Sequence, residues 1–483
     1  MVDRVPDSTT LESVSLGPRG DEATVSVEAL VVVWSADEPS RVGEVILLPP
    51  ASERRSFVFG RGDGKDGKHE RARLVRQRPG ETAETPALAS NHLSRSQLVA
   101  RSHPEGGIAL QNVGRRTLVV AGKAAEECHA RTGDVVEIGR QMVLLCARRP
   151  LSLPALRSAS GRFSFAFGGA DTFGYVGESP DAWNLRDEVA LVALRREHVL
   201  VLGESGTGKE LVAQAVHALG PRAGRRFVAR SAATVPSGII DAELFGSAAN
   251  YPNAGMPERP GLVGESDGST LFLDELGELP VELQTHLLRL LDGGDYQRLG
   301  DARRRTADLR VVAATNRPTG QLKADLAARF PLRVRAPGLH ERREDVLLVA
   351  RHILGEMVKG GDAHMARFAR AGGEPRISSE LAVALVSHLY TTHVRELSSI
   401  LVRAAMESRG EVVELTAGAR PMLGLSGEEP TEAVREVARE EIVAALQRHA
   451  GVREKVWRDL GLPNRYVLKR LMKKFGLADG EDG

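Results

Sequence analysis

Between Ala29 and Ala147 the apolar residues fall in short runs: ALVVVW, EVILLP, SFVFG, QLVA, IALQNV, TLVVAG, DVVEIG and MVLLCA. Gly, Pro and charged residues separate them, and none keeps a helical period. Short β-branched runs with turn chemistry between them predict an all-β sandwich over residues 25–148. The stretch between Gly62 and Asn91 is polar and charged and predicts a long loop inserted in that sandwich. Residues 149–174 mix Arg, Ser, Pro and Gly with scattered Phe and read as an interdomain linker. Residues 1–24 are rich in Pro, Ser and Asp and predict a disordered tail.

From residue 175 the pattern changes. Buried-strand runs at Val199–Leu202, Arg226–Ser231, Leu271–Leu273 and Leu309–Asn316 alternate with helical spacing. That alternation predicts a doubly wound α/β core over 175–337. From Gly338 to residue 424 the text is helical: DVLLVARHILGEMV, SSELAVALVSHLY and VRELSSILVRAAMES. Leu425–Pro430 is a short linker. Val434, Val437, Ile442, Ala445 and Leu446 then mark an amphipathic helix within 431–451.

The chemistry sits at strand ends. Val199–Leu202 is followed by Gly203-Glu204-Ser205-Gly206-Thr207-Gly208-Lys209-Glu210 and a helix. Strand, G-x-x-x-x-G-K and helix in that order predict a P-loop. Backbone N–H groups and the helix N-terminus would surround the phosphates, and Lys209 would reach the outer ones. Glu210 stands where the general motif has a Mg²⁺-binding Ser or Thr. A second buried strand ends in Asp274-Glu275. Beside a P-loop strand, Asp274 would hold Mg²⁺ and Glu275 would orient or deprotonate the attacking water. Two capping acids at a strand-to-helix junction are the simpler reading of that pair. The cofactors expected are ATP and Mg²⁺.

Composition narrows the class. A chain of 483 residues suggests about three domains. Net charge is +1, so any nucleic-acid site must be a local patch. The two cysteines, Cys128 and Cys146, form no Cys/His cluster, which argues against structural zinc or a disulfide framework. No apolar run approaches a membrane span and the N-terminus shows no signal-peptide core, so a cytoplasmic protein without a membrane partner is expected.

GESGTGKELVA, with Glu210 after the lysine, resembles the AAA+ domain of bacterial enhancer-binding proteins, the sigma-54-dependent transcriptional activators. The resemblance runs from Tyr175-Val-Gly-Glu-Ser-Pro180 to Val394-Arg-Glu-Leu397. It implies that Val176 and Gly177 bind nucleotide with residues 203–210, and that 338–424 is an α-helical lid. It also implies that Asn316 is sensor I and Arg395 sensor II; a lid-surface arginine is the plain alternative for Arg395. Lys323 and Arg329 match the arginine-finger segment, which acts on the nucleotide of a neighbouring subunit, so ATPase activity in a homo-oligomer, ring or dimer, is implied. Departures cluster at contact positions. Lys323 replaces an arginine, Ser231 the glutamate-switch asparagine, and Tyr390-Thr-Thr-His393 the family's Trp-Pro-Gly-Asn. Asn250-Tyr-Pro-Asn-Ala-Gly255 stands in the sigma-54-contacting Gly-Ala-Phe-Thr-Gly-Ala loop. Pro252 brings a fixed φ and no N–H there.

The N-terminal runs Phe59-Gly-Arg61, Leu93-Ser-Arg-Ser-Gln97, Thr117–Gly122 and Gly133–Gly139 resemble a forkhead-associated domain. That family binds phosphothreonine peptides. Arg61, Ser94 and Arg95 match its phosphate-contacting positions, and Arg115 begins the Arg115-Arg116-Thr117 that stands for Asn-Gly-Thr. A guanidinium fork and a hydroxyl suit a dianionic phosphate. Gln97 replaces the usual histidine. A phosphothreonine partner and a retained fold without that function are both open. The C-terminus, from Lys455 to Leu477, resembles a Fis-type helix-turn-helix over 425–483. Residues 451–477 carry eight Lys or Arg and two acids, a local net +6, which suits phosphate attraction. Asn464, Arg465, Lys469 and Arg470 fall on or near the helix that would enter the major groove. A basic face used for dimerisation fits the same charges.

The whole reads as a multidomain regulator of transcription of the sigma-54-interacting type, binding ATP and an enhancer-like DNA site. A second reading is a DNA-bound, weakly hydrolysing AAA+ scaffold that does not engage sigma-54. A third is a protein-remodelling ATPase, against which the basic tail speaks. The 250–255 loop and Lys323 separate the first two.

Overall fold

The structure is a computed structural model. It describes residues 25–64, 67–157, 163–234, 238–317, 322–360, 363–370, 373–425 and 439–449, with 456, 457, 459, 460, 468, 472, 475 and 477 of the tail. Residues up to Leu415 form one compact unit and Thr416–Gly483 a second. No helix among the described residues is long and apolar enough to cross a membrane.

The first body is all β. Its strands are β1 (Ser26–Ser35), β2 (Val45–Leu48), β3 (Phe57–Phe59), β4 (Glu70–Arg71), β5 (Val75–Arg78), β6 (Glu81–Glu84), β7 (Leu98–Ser102), β8 (Ile108–Asn112), β9 (Leu118–Val120), β10 (Lys123–Ala124), β11 (Glu127–Ala130), β12 (Val135–Ile138) and β13 (Met142–Pro150). They form an eight-stranded sheet, β10-β9-β12-β13-β1-β2-β5-β6, and a five-stranded one, β11-β8-β7-β3-β4. Leu30, Val32, Ile46, Leu98, Leu110, Ile138 and Leu144 fill the space between the sheets. The polar stretch 62–91 is not a single loop: it supplies β4, β5 and β6. They escape an apolar-run reading because β4 and β6 lie at sheet edges and β5, just inside β6, carries working charges, Arg76 and Arg78.

The central body alternates helix and strand: α1 (Pro180–Ala193), β14 (Val199–Leu202), α2 (Lys209–Ala218), β15 (Phe227–Ser231), α3 (Ile240–Phe245), α4 (Gly261–Glu265), β16 (Thr270–Asp274), α5 (Val281–Gly293), β17 (Asp295–Tyr296), β18 (Arg305–Thr306), β19 (Arg310–Thr315), α6 (Ala324–Ala328) and β20 (Leu332–Arg335). Ser179 caps α1 by accepting from the Ala182 N–H at 3.1 Å, with Pro180 in the first turn. The main sheet is parallel, in the order β15-β16-β19-β14-β20. Both faces are covered, so its strands are continuous apolar runs. Helices α7 (Val346–Lys359), α8 (Ala363–Ala366), α9 (Ser379–Ser387) and α10 (His393–Glu407) follow.

The sandwich is docked on the rest of this unit. Helices α7 and α9 pack on β1 and α9 on β12 and β13, so both faces of β1 are buried. That is why ALVVVW is continuous rather than alternating. Trp34 Nε1 donates to the Ile377 carbonyl at 3.0 Å, Arg343 to the Gly133 carbonyl at 2.8 Å and Arg351 to the Pro39 carbonyl at 2.8 Å. The described part of 149–174 is packed. Phe163 is buried with Leu153, Trp183 and Ala190, and Phe165 stacks on Trp183 with centroids 5.7 Å apart.

The second unit holds α11 (Ala419–Met422) and α12 (Arg439–Arg448). Ile442 and Ala445 of the expected amphipathic helix are buried with Val456, Leu468 and Met472.

Candidate functional site

The sheet order places β14 centrally, and the chain leaves its carboxyl end into residues 203–208. Gly208 caps α2 at φ 93°, a left-handed conformation that favours glycine. Gly206 is also left-handed, and a Cβ there would collide with the Thr392 carbonyl. Lys209 opens α2 and folds back, donating to the Gly203 and Glu204 carbonyls at 2.9 and 3.0 Å. Burial lowers its pKa; Asp274 and Glu275 oppose that shift and Arg395 adds to it. The buried ammonium therefore favours an incoming polyanion.

A cavity of about 600 Å³ lies against this loop. Among the predicted residues, Val176, Gly206, Thr207, Gly208, Lys209, Glu210, Asp274 and Arg395 line it. Gly203, Glu204 and Ser205 form the loop's first half, and Gly177 follows Val176. Volume, glycine loop, ammonium and adjoining carboxylate fit a Mg²⁺-bound nucleoside triphosphate.

Asp274 ends β16 and lines the cavity; Glu275 follows it at φ 56°, strained for a residue with a side chain. Ser231, at the end of the neighbouring β15, donates from Oγ to Glu275 Oε2 at 3.0 Å. The serine at the switch position thus keeps a direct hold on the glutamate. Asn316 is exposed just beyond β19. Lys323 and Arg329 flank α6, and both are exposed. Neither lines the cavity of its own chain, and Arg329 is ion-paired with Asp292 of α5.

The start of α10 meets the loop at three successive residues. Arg395 Nη1 donates to Ser205 Oγ at 2.7 Å, and the Val394 N–H to the Gly206 carbonyl at 3.1 Å. Fully buried His393 meets Glu204 Oε2 with Nε2 at 3.0 Å, while its Nδ1 accepts from the Leu339 N–H at 3.3 Å. The accepting Nδ1 fixes the tautomer, so Nε2 carries the hydrogen. Glu396 secures the start of α10 by accepting from the Thr391 and Thr392 N–H groups and from His388. Burial pushes its carboxyl up, but these bonds outweigh burial and hold it at about 2. Thr391 and Thr392 are therefore tied to Glu396, and His393 ties the start of α10 to the loop. Sequence reasoning missed Arg342, which donates to the Val176 carbonyl at 2.7 Å, lies 4.5 Å over the Tyr175 ring and lines the cavity.

The 250–255 segment is a closed turn. The Asn250 N–H donates to the Met256 carbonyl and Asn250 Oδ1 accepts from the Gly255 N–H, both at 2.8 Å. Tyr251 lies on Gly300, whose missing Cβ would stand 2.5 Å from the ring.

At one end of the sandwich, Arg61 donates to Asn91 Oδ1 at 2.9 Å, and its N–H to the Ser94 carbonyl at 3.0 Å. Ser94 Oγ accepts from the Arg115 N–H at 3.0 Å, so Arg61, Ser94, Arg95 and Arg115 share one loop cluster. Gln97 is buried and donates to Asn112 Oδ1 and the Arg116 carbonyl, tying the two loops together. Asn464, Arg465, Lys469 and Arg470 lie outside the described residues.

Residues 175–334 match the family described as the Sigma-54 interaction domain. The chain is 34% identical over 318 residues to the Nif-specific regulatory protein of Azotobacter vinelandii, covering 61% of this chain and 58% of that protein. It is 33% identical over 316 residues to the transcriptional regulatory protein ZraR of Escherichia coli K12, covering 63% of this chain and 69% of that one. With the anaerobic nitric oxide reductase transcription regulator NorR of Vibrio vulnificus it shares 38% identity over 250 residues, 50% of this chain and 47% of that protein. The alignments thus span about half to two thirds of these relatives. On the alignment to ZraR, which covers more than two thirds of that protein, and on the matched domain, the chain belongs to the sigma-54-dependent transcriptional regulator family, with its ATP-binding domain.

Proposed function

We propose that this chain is an ATP-driven regulator of transcription that acts from a DNA site bound by its C-terminal tail. The observation that carries the reading is the cavity at the phosphate loop, lined by Lys209, Asp274 and Arg395, with Arg395 also donating to Ser205 of the loop. Mg²⁺-ATP supplies the charged phosphates and the hydrolysable bond. Val176, Gly177, Gly203–Glu210 and Arg395 would bind it, Asp274 would hold the metal, Glu275 would orient water and Asn316 would sense the outer phosphate. Lys323 and Arg329 act on the nucleotide of an adjacent copy, which the exposure of both residues and their absence from the lining of the home cavity support. The sandwich, through Arg61, Ser94, Arg95 and Arg115, receives a phosphothreonine segment. Asn464, Arg465, Lys469 and Arg470 contact DNA.

One observation favours the reading in which sigma-54 is not driven. Family activators present a mobile Phe-Thr pair, whereas here Asn250 closes the turn, Pro252 and Asn253 stand in the Phe-Thr positions, and the aromatic, Tyr251, is exposed but lies against Gly300. The regulator then works by ATP-dependent assembly on DNA. The test is a gel shift and an ATPase assay on the purified chain and on a form lacking 431–483, at one stated salt concentration. Site-specific DNA binding that disappears with the tail, while ATPase activity remains, is expected. Equal DNA binding without the tail would defeat the reading.

A further inference from the structure

We propose that the β-sandwich completes the nucleotide site, with Arg78 and Arg149 as positioning residues for the Val176–Gly177 lip; the proposal rests on the nucleotide reading of the cavity. The junction is Glu178, which follows the lip and is 1% exposed. Its carboxylate accepts from Arg78 Nη2 at 2.6 Å and Nε at 3.3 Å, from the Gly168 N–H at 2.8 Å and from Trp183 Nε1 at 3.0 Å. Its carbonyl accepts from Arg149 Nη2 at 3.4 Å, and its N–H donates to Asp345 Oδ1 at 2.8 Å. Both arginines belong to the sandwich: Arg78 ends β5 and Arg149 lies in β13.

The two arginines are themselves fixed. Arg78 lies 4.6 Å over Phe165 and donates to that residue's carbonyl at 2.9 Å. Arg149, 2% exposed, bridges Gln77 Oε1 at 3.1 Å and Glu344 Oε2 at 2.6 Å. Glu344 and Asp345 immediately precede lid helix α7. Sandwich, core and lid therefore meet on one residue beside the lip.

The lip has no slack. A Cβ on Gly177 would stand 2.5 Å from Asp345 Oδ2 and 2.9 Å from Ala182 Cβ. Arg342 holds the Val176 carbonyl from the other side. Removing Arg78 leaves the buried carboxylate with the Gly168 N–H and Trp183 Nε1 but no cation, which is strongly destabilising. A shift of Glu178 that relieves this cost displaces the lip joined to it. By linkage, docking of the sandwich and nucleotide binding strengthen each other.

The test is equilibrium binding of ADP to the full-length chain, with melting temperature measured with and without ADP. Arg78→Ala is expected to weaken ADP about tenfold and to reduce the ADP-induced rise in melting temperature. Turnover at saturating ATP should stay within about twofold of wild type. Glu178→Gln, which keeps the shape, should weaken ADP in the same direction and decides the matter if Arg78→Ala does not fold. Arg140→Ala removes an exposed pair between sandwich and lid, with Glu380, and should leave affinity unchanged. Wild-type affinity in both Arg78→Ala and Glu178→Gln overturns the proposal, even if they melt earlier. Equal weakening by Arg140→Ala also overturns it, because general docking and not the lip would then be responsible. A wild-type chain that binds no nucleotide overturns instead the reading on which the proposal rests.

Discussion

Replacing Lys209 by alanine removes the one side-chain cation that opens α2 inside the phosphate loop. In the structure its ammonium makes two backbone contacts, at 2.9 and 3.0 Å. Burial lowers its pKa, against the pull of Asp274 and Glu275. A polyphosphate offers stronger acceptors than carbonyls, at roughly 1.5–3 kcal/mol for each charge-assisted bond. Two such bonds replace two neutral-acceptor bonds, so the net loss in the mutant is about 3 kcal/mol, or about 150-fold in affinity. The carbonyls of Gly203 and Glu204 remain near water, so the mutation leaves no deeply buried charge behind and the fold should survive. The assay is titration with a fluorescent ATP analogue, with circular dichroism to confirm folding. A folded mutant binding within about threefold of wild type would refute the role given to Lys209.

Glu275→Gln should keep nucleotide binding and stop turnover, measured by phosphate release, since metal ligation and water orientation belong to different residues; undiminished turnover would reassign the base. Lys323→Arg should raise hydrolysis at saturating protein, because arginine offers a bidentate fork that lysine lacks; a lower rate would remove Lys323 from the finger position. His217 is buried and His198 half-buried, and desolvation lowers both pKa values below 6.5. The unfolded chain takes up protons first as pH falls, so their contribution is intact above about pH 6.5 and is lost on acidification through the folded values. Melting temperature should therefore fall between about pH 6.5 and 5, and a rise over that window would contradict the assignment.

The parts legible in the sequence were those whose signal is local. VLVL, the glycine loop and Lys209 sit in one stretch, and the cavity is where that stretch ends. The eight apolar runs of the N-terminal third became strands because each carries its own β-branched pattern. What stayed hidden depends on distant partners. Arg76 and Arg78 make β5 look like loop, although Arg78 is spent on Glu178, 100 residues away. Phe165 and Phe167 read as linker residues until the guanidiniums of Arg76 and Arg78 are placed over their rings. The bonds from Ser231 to Glu275 and from His393 to Glu204 join segments 44 and 189 residues apart. No spacing within either segment announces them. Strand β11 was missed because Glu127–Ala130 lies at a sheet edge with one fully buried side chain.

The most direct test of the account is in-vitro transcription with sigma-54 polymerase, on a promoter carrying this protein's own binding site, with ATP present. Tyr251 is held on Gly300 and Asn250 closes the turn. Losing an exposed aromatic anchor typically costs about 2 kcal/mol or more of contact energy. The account predicts ATP-dependent assembly on the DNA and no transcript above the polymerase alone. Robust ATP-dependent transcripts that vanish with Tyr251→Ala would contradict it and make the 250–255 turn a working sigma-54 contact.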